Sequence, residues 1–110
     1  MSKNVKPTHM NYTENFEGIK LDVQAVDITI ADKVQQEIRD LLIRLRRHIS
    51  EINWADVYLE EKSGKSTEKR SVSVRLGIPG NDVFASDSGD DFVTLLKSVE
   101  EKLRRQLEKR

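Results

Sequence analysis

Regular alternation of apolar and polar side chains begins at Ile19. Ile19, Leu21, Val23 and Ala25 are interleaved with Lys20, Asp22 and Gln24, the period of a strand with one buried face. Between Ile30 and Ile49 the period changes. Ile30, Val34, Ile38, Leu41, Leu42, Leu45 and Ile49 fall on one stripe at ~100° per residue, which predicts a helix with Thr29 as its N-cap. Trp54 to Glu60 alternates again, with Ala55, Val57 and Leu59 on one side. Glu61 to Glu68 is polar and contains Gly64, a loop.

Lys69 to Ile78 is the cleanest strand, Val72, Val74, Leu76 and Ile78 alternating with Ser71, Ser73, Arg75 and Gly77. Ile78-Pro79-Gly80-Asn81 reads as a type II turn, in which proline sets φ at the second position and glycine accepts positive φ at the third. Val83 to Ser86 supplies a short fourth strand. Ser88-Gly89-Asp90-Asp91 then offers capping carboxylates. Phe92, Leu95, Leu96, Val99, Leu103 and Leu107 form the stripe of a second helix.

The predicted fold class is α+β, with element order β-α-β-β-β-α. Each strand has a single apolar face, so both helices must cover that face of a four-stranded sheet and leave the other wet, a two-layer sandwich. A right-handed crossover joins the first two strands. Following chain direction from there, both helices run in the same sense and their C-terminal halves share one end of the domain. Residues 1–18 are polar, contain Pro7 and show neither period; they read as a flexible N-terminal tail. Residues 19–110 then make one domain, the size that 110 residues allow.

Composition removes several classes of function. The chain has no cysteine, which excludes disulfides, thiolate catalysis and cysteine metal sites. Its apolar runs are a few residues long, against the ~20 needed to span a bilayer, and its N-terminus does not resemble a signal peptide. A soluble, cytoplasmic protein with no membrane association is expected. Hydrophobic residues are 36% and charged residues 35%, and 19 basic side chains balance 19 acidic ones. With a net charge of zero, distribution carries the information.

That distribution is uneven. Residues 39–48 hold Arg39, Arg44, Arg46 and Arg47 against Asp40, and residues 102–110 hold Lys102, Arg104, Arg105, Lys109 and Arg110 against Glu108. On the helical wheel, Lys102, Arg105 and Lys109 line one flank of the second helix, and Arg44 and Arg47 the same flank of the first. Lys97 and Arg104, with Arg39 and Arg46, line the opposite flanks. The macrodipole accounts for cations at one helix C-terminus, at roughly 0.3–1 kcal/mol each. It does not account for two clusters placed side by side with few acids between them, since like charges at that density oppose folding. A polyanion is the expected partner, and arginine in preference to lysine suits phosphate forks.

Other chemistry is poorly supported. Gly64-Lys65-Ser66-Thr67 resembles the end of a P-loop, but Leu59 stands where the first glycine belongs and a strand follows where a helix is required. His9 and His48 have no third ligand at suitable spacing, so no metal is expected. Asp90 and Asp91 fit capping better than acid–base work. Trp54, Tyr58 and Phe84 are scattered, without the aromatic platform of a single-strand RNA binder. The chain reads as a non-enzyme without catalytic residues or cofactor.

The stretch VSVRLGIPGNDVFASDSGDDF, followed by EKLRRQLEKR, resembles the ribosome hibernation promoting factors and ribosome-associated inhibitors, a family also labelled sigma 54 modulation proteins. The ending Lys102-Leu103-Arg104-Arg105-Gln106-Leu107-Glu108-Lys109 is its most specific part, and VQAVDITIADKVQQEI is similar to the family's first strand and helix entry. The likeness covers about residues 19–110. It implies a fold like that of double-stranded-RNA-binding domains and a non-enzymatic translation silencer. Such a factor binds the small ribosomal subunit and its ribosomal RNA between head and body, in the space of mRNA and of A- and P-site tRNA, in stationary phase and under stress. DNA is not an expected partner.

Carried over by position, Arg44, Arg47, Lys102, Arg105 and Lys109 match basic positions of the family. Leu41 stands where relatives can be basic, and Arg104 where many are acidic. Ribosome pairing is expected to need a second factor, because the chain stops at Arg110 whereas long relatives continue into another domain. The older family name implies an alternative, regulation of transcription through a protein partner. The fold implies another, general binding of double-stranded RNA.

Overall fold

The computed structural model describes residues 11–26, 28–62 and 69–109. Seven elements follow in order: β1 (Asn11–Phe16), β2 (Ile19–Val26), α1 (Asp32–Leu45), β3 (Trp54–Glu61), β4 (Arg70–Gly77), β5 (Asp82–Gly89) and α2 (Phe92–Glu108). The strands form one sheet in the order β1-β2-β3-β4-β5. Only β2 and β3 pair in parallel; every other pair is antiparallel.

The sheet therefore has five strands where the alternation predicted four. The added strand is β1, from within the stretch read as a tail; residues 1–10 of that stretch lie outside the described residues. A two-residue turn joins it to β2, with Phe16 paired to Ile19. Glu17 and Gly18 both have positive φ, 52° and 88°, the backbone a type I′ hairpin turn requires. Tyr12 and Phe16 of β1 pack against the core, and Glu14 lies between them on the same face.

Residues Ile19, Leu21 and Val23 of β2, Val57 and Leu59 of β3 and Val72, Val74 and Leu76 of β4 are buried, while the residues between them are more exposed. The helix stripes close over that layer with Ile38, Leu41, Leu42 and Leu45 from α1 and Leu96, Val99 and Leu103 from α2. Burial of each large aliphatic side chain is worth roughly 1.5–3 kcal/mol. No charged or polar residue is buried among the described residues.

Three local details differ from expectation or refine it. Helix α1 begins later than predicted, because Ala31 and not Thr29 is the N-cap, and it makes no side-chain capping bond. Strand β5 is longer than the predicted Val83–Ser86. Gly80 takes φ 105° in the loop joining β4 to β5, as the Pro-Gly turn requires. At α2, the Asp91 carboxylate accepts from the Thr94 N–H at 2.9 Å, a side-chain cap.

Candidate nucleic-acid interface

The helices run in parallel, as three contacts along them demonstrate. Lys33 and Asp91 interact electrostatically at the N-terminal ends. Arg44 pairs with Glu100 further along, and His48 Nδ1 stands 3.9 Å from Glu108 at the C-terminal ends. The offset between partners stays nearly constant, which only a parallel arrangement allows. The basic C-terminal segments of α1 and α2 consequently meet at one end of the molecule.

Of the nine candidate cations, five are held in three zones and four extend outward. Arg39 and Arg46 lie toward the β1 edge: Arg39 Nε and Nη2 donate to the Glu14 carboxylate at 2.9 and 3.0 Å, and Arg46 reaches the side chain and carbonyl of Glu17. Arg44 and Arg104 occupy the seam between the helices. Arg44 bonds both Glu37 and Glu100, and Arg104 bonds both Glu101 and Glu108. Above all the hydrogen bond to Glu100, and after the opposing effect of burial that to Glu37, holds the Arg44 guanidinium well above its ordinary pKa. Glu101 and then Glu108 do the same for Arg104.

Lys102 lies toward β5, where its ammonium donates to the Ser86 carbonyl at 2.9 Å and approaches Asp87 at 3.8 Å. The Asp87 carboxyl is held below its usual range, first by the Ser98 hydroxyl and then by the Ser88 N–H. Arg105 extends outward from α2 and is 67% exposed at its side chain, with Glu101 at 3.4 Å. Arg47, Lys97 and Lys109 are exposed, and no carboxylate pairs with them among the described residues.

Geometry thus brings the positive helix ends together but supplies more acid than the sequence windows imply. Glu100, Glu101 and Glu108 of α2, and Glu37 of α1, thread the seam that was expected to hold few carboxylates. Side-by-side packing also separates the flanks grouped on the wheel. Arg44 faces α2, whereas Lys102 faces away from α1 toward β5. Among the described residues, the unpaired cations at the converging end are Arg47 and Lys109; Arg105, beside Glu101, is one turn back, and Lys97 lies nearer the start of α2.

His48, which the sequence places among the basic residues ending the first helix as a wedge or a further polyanion contact, stands at this end with Nδ1 3.9 Å from Glu108. Asp91 caps α2, as expected for it, and Asp90 contributes its carbonyl to Arg70. His9, the Gly64–Thr67 motif and Arg110 lie outside the described residues.

A five-stranded sheet with two parallel helices on one face, their basic ends exposed together, defines an α+β two-layer sandwich domain. The chain belongs to the Sigma 54 modulation protein / S30EA ribosomal protein family, whose match spans residues 21–110; β1 precedes that segment. A ribosome hibernation promoting factor from Acinetobacter guillouiae is 25% identical over 97 residues, 83% of this chain and 86% of that protein.

Two solved structures share the fold. The N-terminal domain of Protein Y from Thermus thermophilus superposes with TM-score 0.65 at 19% identity, covering 81% of this chain and 92% of that one. A ribosomal subunit interface protein from Coxiella burnetii gives TM-score 0.64 at 22% identity, covering 79% and 89%.

Proposed function

We propose that this protein is a ribosome hibernation factor of the cytoplasm that binds the small ribosomal subunit, in the channel used by mRNA and by A- and P-site tRNA, and silences idle ribosomes without chemistry. The observation that carries this reading is the parallel pairing of α1 and α2, which sets Arg47, Arg105 and Lys109 at a common, exposed end. Names of relatives, a hibernation promoting factor and a ribosomal subunit interface protein, support it.

In this reading Arg47, Lys97, Arg105 and Lys109 meet ribosomal RNA phosphates directly, displacing condensed counterions. Arg39, Arg44, Arg46, Lys102 and Arg104 join them by exchanging carboxylate partners for phosphate, or shape the surface through the ion pairs they already make. Exposed pairs such as those of Arg46 and Lys102 are worth at most about 1 kcal/mol each, so exchange at the rim is inexpensive.

Sedimentation through a sucrose gradient tests the assignment. The protein is expected to travel with small subunits, to dissociate as salt rises, and to be displaced by an mRNA fragment with initiator tRNA. Binding of arbitrary duplex RNA with equal affinity would favour a general RNA module. Capture of a transcription factor without RNA would favour the regulator reading.

A further inference from the structure

The open face of the sheet carries a different chemistry from the helices. Four carboxylates point outward from β2, β3 and β5, those of Asp22, Asp56, Glu60 and Asp82, against the cations Lys20 and Arg75. Asp22 and Asp56 are register partners on the parallel strands, so two like charges stand side by side. Gln24 Nε2 donates to Asp22 at 3.5 Å. Among the described residues no donor hydrogen-bonds the Asp56 carboxylate.

Arg75 is the register partner of Asp56 on β4, yet its guanidinium is engaged elsewhere. It lies 4.8 Å from the centre of the Phe84 ring and 4.0 Å from Asp82. Burial, followed by the charge of Asp22, raises the Asp56 carboxyl above its usual range. The charge of Arg75 offsets that shift only in part, so the fold bears an incompletely compensated carboxylate pair, an arrangement that an external cation would relieve.

Aromatic surface adjoins that pair. Asp22, Gln24, Asp56, Tyr58, Arg75 and Phe84 line a groove of about 200 Å³, and Tyr58 and Phe84 are 40% and 43% exposed. Aromatic faces beside carboxylates attract guanidinium and ammonium groups through the ring quadrupole and charge-assisted hydrogen bonds. Arg75 on Phe84 is an internal instance of the first contact. Nucleic acid fits less well, because its phosphates would meet the two aspartates, although bases could stack on the rings.

We propose that the open sheet face, centred on Asp22 and Asp56 with Tyr58 beside them and Phe84 across Arg75, docks an extended basic segment of a partner protein, with an arginine or lysine head group seated on the carboxylate pair. The proposal concerns the face opposite the helices and does not depend on what the helices bind.

Isotope-edited NMR titration of the full chain with a capped Gly-Arg-Gly-Arg-Gly peptide provides the test. Shifts are expected at Asp22, Gln24, Asp56, Tyr58 and Phe84, with no comparable shifts from the citrulline analogue. Asp22→Asn combined with Asp56→Asn relieves repulsion, so the variant folds, and it should weaken the peptide about tenfold or more. Unchanged affinity in that variant, shifts centred on other acids, or an oligouridylate that binds this face while the peptide does not would each overturn the proposal.

Discussion

Arg44 Nε and Nη2 donate to the Glu100 carboxylate at 2.8–3.0 Å while Nη2 also reaches Glu37 at 2.6 Å. One guanidinium thereby joins two turns of α1 to the middle of α2. Its contacts are those of a fastener between helices, which restricts how freely it can serve as an RNA contact. Glu100→Gln is expected to lower stability by about 1–2 kcal/mol in urea unfolding, the range for charge-assisted hydrogen bonds at partly covered sites. Raising salt should shrink the difference. An unchanged midpoint would mean that the pair is decorative.

The Trp54 indole fills the space beside Gly77 that a side chain would need, the two being register partners on β3 and β4. A methyl group there collides with the ring. Gly77→Ala should cost about 1–3 kcal/mol, as overpacking does, and should shift the emission of this sole tryptophan. Wild-type stability with unaltered fluorescence would contradict the packing.

Acid should loosen the start of α2. The Asp91 carboxyl is held below its ordinary pKa, chiefly by the Thr94 N–H and next by the Thr94 hydroxyl. Its folded value is the depressed one, so its stabilisation is complete above the unfolded value of ~3.9 and disappears as pH falls through the folded value. Asp91→Ala should cost about 1 kcal/mol at neutral pH. That cost should diminish below pH ~4, as thermal melts across pH would record.

Strand β1 depends on one ion pair on its inner face. Glu14 sits between Tyr12 and Phe16 and is held by Arg39 of α1; among the described residues the buried Tyr12 hydroxyl has no hydrogen-bond partner, and burial raises its pKa to about 12. Glu14→Gln should accelerate amide exchange in residues 11–16 while changing global stability by less than about 1 kcal/mol. Equal protection in both proteins would show that backbone pairing alone holds the strand.

The contrast between β4 and β1 explains what the chain discloses by itself. Val72, Val74 and Leu76 face a core that must exclude water, so their spacing reveals the strand. Strand β1 borders the sheet, and its inward middle residue is Glu14, whose charge is neutralised by a helix 25 positions away. Local alternation cannot register such a partner. The one available cue was Glu17-Gly18, a dipeptide able to take two positive φ angles.

The same limit applies to the basic ends. Parallel helices could be deduced from element order, and His48 beside Glu108 agrees. Counting charges in windows that begin at residue 102 overlooked Glu100 and Glu101, which pairing across and along the seam brings against Arg44, Arg104 and Arg105. Open-face aromatics read as scattered in the sequence for a related reason: Tyr58 and Phe84 lie on different strands, and only sheet order places them around one groove.

The most direct measurement is the salt dependence of affinity for purified small subunits, comparing the wild type with Arg47→Gln, Arg105→Gln and Lys109→Gln combined. If these three side chains contact phosphate, the slope of log affinity against log salt should fall by about 2–3 and binding should weaken at physiological salt. The Glu100→Gln protein, altered at the seam, should keep all three cations and most of the wild-type slope. An unchanged slope and affinity in the triple variant would contradict the assignment of the converging helix ends as the ribosome-binding surface.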